Sequence, residues 1–149
     1  MKIAFACDHG GFSARNAVFE YFTNKGIEVV DYGTFSDQSV DYPEYAKKVC
    51  LDVVNKKVDK GVLICGTGIG MSIVANKIKG IRCAHVTDIF SAEMTRRHND
   101  TNVIALGARI TSEELIVNCI DVFLNTEFDG GRHANRVCQI SKIEEEFNV

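Results

Sequence analysis

Apolar residues in this chain fall into short β-rich runs that alternate with segments of helical spacing. Runs at residues 2–7, 28–32, 61–65, 82–86 and 102–106 predict five strands. After the first, Ala14, Ala17, Val18, Tyr21 and Phe22 share one helical face, and Gly26 stops that helix. After the second, Pro43 suits the first helical position, and Ala46, Val49, Cys50, Val53 and Val54 recur as one buried stripe. Asp88 reads as the N-cap of the helix after the fourth strand. Thr111 and Glu114 form a capping-box pattern before a helix whose Leu115, Cys119, Val122 and Phe123 share a face. Beyond Gly130-Gly131, Val137, Ile140, Ile143 and Phe147 lie on the face of one further helix.

Five strands joined by crossover helices imply a three-layer, doubly wound α/β fold, Rossmann-like, with a five-stranded parallel sheet and helices on both faces. Right-handed crossovers cover both faces, and ligands gather at the carboxyl ends of the strands. The 149 residues fit one domain, residues 1–149, with no linker or internal repeat. The extra C-terminal helix is expected to cover a partner subunit.

Composition narrows the class. A net charge of −3 offers no basic footprint for nucleic acid or an acidic membrane. The six cysteines, at 7, 50, 65, 83, 119 and 138, sit mostly in apolar segments without a C-x-x-C pair, which argues against a zinc site or disulfide framework and for core thiols in a reducing cytoplasm. No stretch approaches the roughly 20 apolar residues of a membrane span, and the N-terminal apolar run is too short for a signal peptide.

The strand-end loops carry the candidate chemistry: Asp8-His9-Gly10-Gly11, then Cys65-Gly66-Thr67-Gly68-Ile69-Gly70, then Asp88, then Gly107-Ala108-Arg109. The first two of these loops belong at adjacent strands beside a topological switch point, so Asp8, His9, Cys65 and Thr67 are expected to converge on one crevice. The glycine loop lacks the lysine of a phosphate-binding P-loop, and it follows the third strand rather than the first, unlike the dinucleotide fingerprint. It reads equally as a tight βα turn. Cys65 is distinguished from the other thiols because it ends a strand at a helix N-terminus, where inward amides favour a thiolate and an adjacent oxyanion. Asp8-His9 also reads as a simple turn with Asp8 as a cap. Arg132 and Arg136, spaced i, i+4, can grip one phosphate or form a solvated helix start. Arg96 and Arg97 read as surface charge, His85 as a structural strand residue, and His133 fits either role.

Taken together, Cys7-Asp8-His9-Gly10-Gly11, Asp41-Tyr42-Pro43, Ile64-Cys65-Gly66-Thr67-Gly68-Ile69-Gly70, Ala75-Asn76-Lys77, His98-Asn99-Asp100-Thr101-Asn102 and Gly130-Gly131-Arg132-His133 closely resemble the type B ribose-5-phosphate isomerases. That group belongs to a sugar-phosphate isomerase family that includes galactose-6-phosphate isomerase subunits, and the resemblance runs along essentially the whole chain. It implies interconversion of ribose 5-phosphate and ribulose 5-phosphate through a cis-enediolate, with Cys65 as the base that moves a proton between C2 and C1. Thr67 then bonds the sugar oxygens, His98 opens the furanose ring and Asp8 lies near the ring oxygens. The phosphate meets Arg132, Arg136 and His9, with Arg109 a further candidate, while Asn99 and Tyr42 contact the sugar. The amides of Gly66, Gly68 and Gly70 are the candidate oxyanion donors. One branch of the family uses a glutamate where this chain has Met71, so the chain groups with the cysteine branch. The resemblance further implies a homodimer or dimer of dimers with shared active sites, and no metal or organic cofactor. Two alternatives remain beside it: an isomerase of a six-carbon sugar phosphate, and a non-catalytic phosphosugar sensor.

Overall fold

The computed structural model describes residues 1–147. Its elements alternate as expected: β1 (Lys2–Cys7), α1 (Arg15–Asn24), β2 (Glu28–Asp31), α2 (Tyr42–Val54), β3 (Lys60–Cys65), α3 (Ile69–Ala75), β4 (Cys83–His85), α4 (Ile89–Asn99), β5 (Val103–Gly107), α5 (Glu113–Asn125) and α6 (Arg132–Phe147). The strands form one all-parallel sheet in the order β2-β1-β3-β5-β4. From β1 the chain moves outward to β2, and from β3 it moves the other way. The loops after β1 and β3 therefore part at a switch point, the crevice predicted from the sequence.

Alternation along the strands builds two cores. Ile3, Phe5, Cys7, Val62, Ile64, Ile104 and Leu106 face α1, α4 and α5, while Ala4, Ala6, Leu63, Cys65, Val103 and Ala105 face α2 and α3. On the first face Phe5, Phe19 and Phe22 meet edge to face, with ring centroids 5.1–6.2 Å apart. Small alanines on the second face let α2 and α3 lie close to the sheet. Gly26, at φ +62°, ends α1 as its position suggests.

Several local expectations shift. Pro43 lies one residue inside α2, which starts at Tyr42 with Asp41 as N-cap. The cap of α5 is Ser112 rather than Thr111: its extended backbone lets Oγ accept the Leu115 N–H at 3.3 Å. That moves the buried stripe to Ile116, Cys119, Ile120, Phe123 and Leu124, with Leu115 and Val122 half-buried at its margin. Asp88 caps α4 as predicted, accepting the Ser91 N–H at 2.8 Å. β4 is shorter than expected because Arg82 turns away: its backbone N–H goes to Asn102 Oδ1 and its guanidinium to the carbonyls of Asn99 and Asp100. Of the thiols read as core, Cys7, Cys50 and Cys119 are buried, Cys83 is half-buried and Cys138 is exposed on α6.

Arg96 is not surface charge. It is buried, and its guanidinium bonds the carbonyls of Thr101 and Thr126 and the Asp100 carboxylate. A cation buried this way is compensated by one carboxylate and two carbonyls, which tie the end of α4 to the end of α5. Arg97 is half-buried and pairs with Glu93 and Asp129.

Candidate active site

The glycine loop brings backbone close to everything around it. β3 pairs with β1 on one side and β5 on the other, so Cys65 stands opposite Gly107 and one residue beyond the Ile64–Cys7 pairing. Gly68 takes φ +80°, a conformation that costs glycine little, and turns the chain into α3. The turn aims the Gly68 N–H back at Cys65 Sγ, 3.1 Å away. Cys65 is 5% exposed. The backbone amide fixes the position of a nearly buried sulfur, and the same row of amides can meet an oxyanion.

Neighbouring loops close around this turn. Asp8, also 5% exposed, donates its N–H to Ile64 O and accepts the Gly11 N–H on Oδ1 at 3.0 Å. A Cβ on Gly10 would sit 2.8 Å from Gly66 N, so the first and third loops meet backbone to backbone. The Arg109 N–H donates to Gly66 O at 2.9 Å, and its side chain covers Gly66, where an added Cβ would come 3.2 Å from Cδ. The Tyr42 ring covers Gly70, where a Cβ would fall 2.8 Å from the ring. Thr67 is exposed, with Oγ1 3.4 Å from the Ile69 N–H. His9 accepts the Val40 N–H on Nδ1 at 3.2 Å, which leaves Nε2 to carry the ring hydrogen of the neutral form. Asp8, Tyr42, Cys65, Gly66, Thr67, Gly68, Gly70 and Arg109 thus gather at the carboxyl edge of the sheet, with His9 in the same β1 loop.

The remaining candidates lie elsewhere. α4 starts at the carboxyl edge and runs back across the sheet, so His98 and Asn99 emerge at the opposite edge, where the Asn99 carbonyl accepts Arg82 Nε–H at 3.0 Å beside the entry to β4. The first turns of α6 join them: the His133 ring stacks on His98 with centroids 4.2 Å apart and planes 9° from parallel. Arg132 and Arg136 are exposed on the same turns. Burial, with His98, Arg132 and Arg136 nearby, holds His133 below the ordinary histidine range. His98, Asp129 and His133 bring their donor atoms within 4.8 Å of one another. Arg97 already holds both Asp129 oxygens at 3.1 Å, and the rings lie face to face with two further arginines alongside. That setting favours an anion over a cation.

Sequence reasoning missed His85. Instead of being embedded in a strand interior, it is exposed at the end of β4, with Nε2 2.7 Å from the Thr67 carbonyl. The signal is absent from the local sequence because it depends on β4 being placed next to β5.

A profile of the Ribose/Galactose Isomerase family matches residues 3–140. Ribose-5-phosphate isomerase B of Escherichia coli (strain K12) is 46% identical over 147 residues, covering 99% of each chain. D-erythrulose-4-phosphate isomerase of Pectobacterium atrosepticum is 39% identical, covering 97% of this chain and 95% of the other. The solved structure of Clostridium thermocellum ribose-5-phosphate isomerase B superimposes with a TM-score of 0.96 at 44% identity, covering 99% of both chains. Fold, length and sequence agree along the whole molecule, and the chain belongs to the Ribose/Galactose Isomerase family.

Proposed function

We propose that this isomerase interconverts ribose 5-phosphate and ribulose 5-phosphate, with Cys65 as the base. The observation that carries the reading is the nearly buried Cys65 Sγ accepting the Gly68 N–H at a sheet switch point, in a chain of this family. The thiolate removes the C2 hydrogen of the open aldose, and the electron pair moves onto O1 to give a cis-enediolate. Amides of the glycine loop stabilise that oxygen, an effect worth about 3–4 kcal/mol per well-placed donor. Thr67 assists transfer of the hydroxyl hydrogen from O2 to O1, and the thiol returns its proton to C1, leaving a ketone at C2. No electrons are gained or lost overall. Asp8 bonds the sugar oxygens before and after ring opening, Tyr42 packs on the sugar, and His9 Nε2 and Arg109 reach its phosphate.

His98 as ring-opening group, and Asn99, Arg132 and Arg136 as sugar and phosphate contacts, fit only if a second copy supplies them, because they emerge at the far edge of the sheet. A homodimer with shared sites is supported by α6, which exposes Ile140, Ile143 and Phe147, and by a groove of about 480 Å³ between α6 and the β4 edge, lined by Ile81, Cys83, Ala84, Ile140 and Ile143. Six unpaired cysteines suit a reducing cytoplasm. Among the described residues, no helix is long and apolar enough to cross a membrane.

The test is isomerisation of ribose 5-phosphate in deuterated water. Ketose phosphate that gains deuterium at C1 supports the mechanism, whereas tight binding with neither product nor exchange identifies a sensor. The relative that acts on a four-carbon sugar phosphate makes chain length the main competing variable, so erythrulose 4-phosphate and six-carbon phosphates belong in the same assay. In that assay Arg136→Ala raises KM by about 30-fold and lowers kcat less than threefold, since a phosphate remote from the reacting carbons contributes mainly uniform binding. Equal KM in the variant and the parent would remove Arg136 from the phosphate site.

A further inference from the structure

His85 reaches the glycine loop at a peptide with two roles. Its Nε2 lies 2.7 Å from the Thr67 carbonyl oxygen. That oxygen can only accept, so Nε2 carries the hydrogen and donates it. The Thr67 carbonyl and the Gly68 N–H are the two ends of one planar trans peptide and point in opposite directions. The Gly68 N–H is the group that donates to Cys65 Sγ at 3.1 Å.

We propose that His85 is a positioning residue for Cys65, acting through the Thr67–Gly68 peptide, whose N–H it aims at the sulfur. The first effect is geometric. With glycine on one side, at φ +80°, this peptide unit is free to rotate about its flanking bonds, and a hydrogen bond on the oxygen fixes the direction of the hydrogen. The second is electronic: a peptide that accepts on oxygen becomes a stronger donor on nitrogen, by roughly 10–30% per bond. Packing holds the same peptide from two sides. A Cβ on Gly68 would meet His85 Cδ2 at 2.7 Å, and a Cβ on Gly107 would meet the Thr67 carbonyl carbon at 2.5 Å. Other charged or titratable groups around the loop touch different parts of it: Arg109 lies over Gly66, Tyr42 over Gly70, and the Asp8 carboxylate holds Gly11. His85 acts on the peptide that bonds the sulfur.

The inference rests on Cys65 as the reacting thiol, so its test reads the sulfur directly and not only turnover. His85→Gln and His85→Met have the same side-chain length, but only Gln can donate from the place of Nε2. Full-length parent and variants are treated with iodoacetamide at neutral pH, and alkylation is followed by mass spectrometry at Cys65, with the exposed Cys138 as reference. In His85→Met, Cys65 reacts about fivefold more slowly relative to Cys138, and kcat on ribose 5-phosphate falls by a similar factor with KM within about twofold, consistent with loss of one hydrogen bond. His85→Gln restores most of both. An unchanged Cys65 to Cys138 ratio in folded His85→Met overturns the proposal, as does a His85→Gln protein that melts like the parent yet reacts as slowly as His85→Met. His85→Leu serves as the donor-free variant should His85→Met fail to fold. A normal alkylation ratio with lost turnover refutes this relay while leaving Cys65 as base intact. Full activity in Cys65→Ala refutes the base instead.

Discussion

Cys65→Ala lowers kcat for ribose 5-phosphate isomerisation by about 10³-fold or more and leaves KM within about threefold, because general-base catalysis of this kind contributes 10²–10⁴-fold and the thiol is not needed to hold the phosphate. Cys65→Ser behaves the same way. A serine hydroxyl fits beside the Gly68 N–H, but it is far less acidic than a thiol and remains protonated at neutral pH. Cys65 belongs to the second core but ends its strand at a loop, and Ala and Ser are no larger, so both changes cost only a little packing and leave the fold in place. Progress curves of ketose phosphate formation measure the loss, and calorimetry with a non-reacting sugar phosphate checks that binding persists. Parent-like turnover in Cys65→Ala would require another base, and Met71, which stands where a glutamate serves in one branch of the family, cannot accept a proton.

Mixing two dead proteins restores activity. Cys65→Ala and His98→Asn are each inactive alone, but in the proposed homodimer subunit exchange between them builds a heterodimer. In that heterodimer one site combines Cys65 from one subunit with His98 from the other, and the second site lacks both. With random pairing, about a quarter of all sites are intact. Turnover therefore rises from near zero to about a quarter of the parent after the mixture is dissociated and reassembled. The expectation follows from the direction of α4, which carries His98 to the edge of the sheet away from Cys65. A mixture that stays inactive, with exchange verified by mass-tagged subunits, argues that each chain completes its own site.

Features set by a short stretch of chain were legible in the sequence. The β3 thiol, the glycine turn and the start of α3 follow one another directly, and glycine takes the φ of +80° that the turn into α3 needs at little cost. The meeting of Asp8 with the glycine loop was legible too, because doubly wound topology places the loops after β1 and β3 side by side. What depended on lateral order was not. His85 reads as one more strand residue until β4 is placed next to β5, which puts its ring over Thr67. The His98–His133 stack joins the ends of two helices across more than 30 residues, and no local pattern announces it. Arg96 looked like surface charge because its partners are mainly backbone carbonyls, which every sequence supplies and none advertises. The Ser112 cap lay one residue from the predicted one because Thr111 and Ser112 both carry a suitable hydroxyl, and only backbone direction separates them.

β3 is hydrogen-bonded on both sides within the sheet, whereas α6 rests against the outer side of α4. The sulfur therefore sits on a strand braced from both sides, and the arginines proposed to grip the phosphate ride on a helix that a second copy braces in the proposed homodimer. Dilution that separates the subunits then weakens the hold on substrate while the strand that carries the sulfur stays in place.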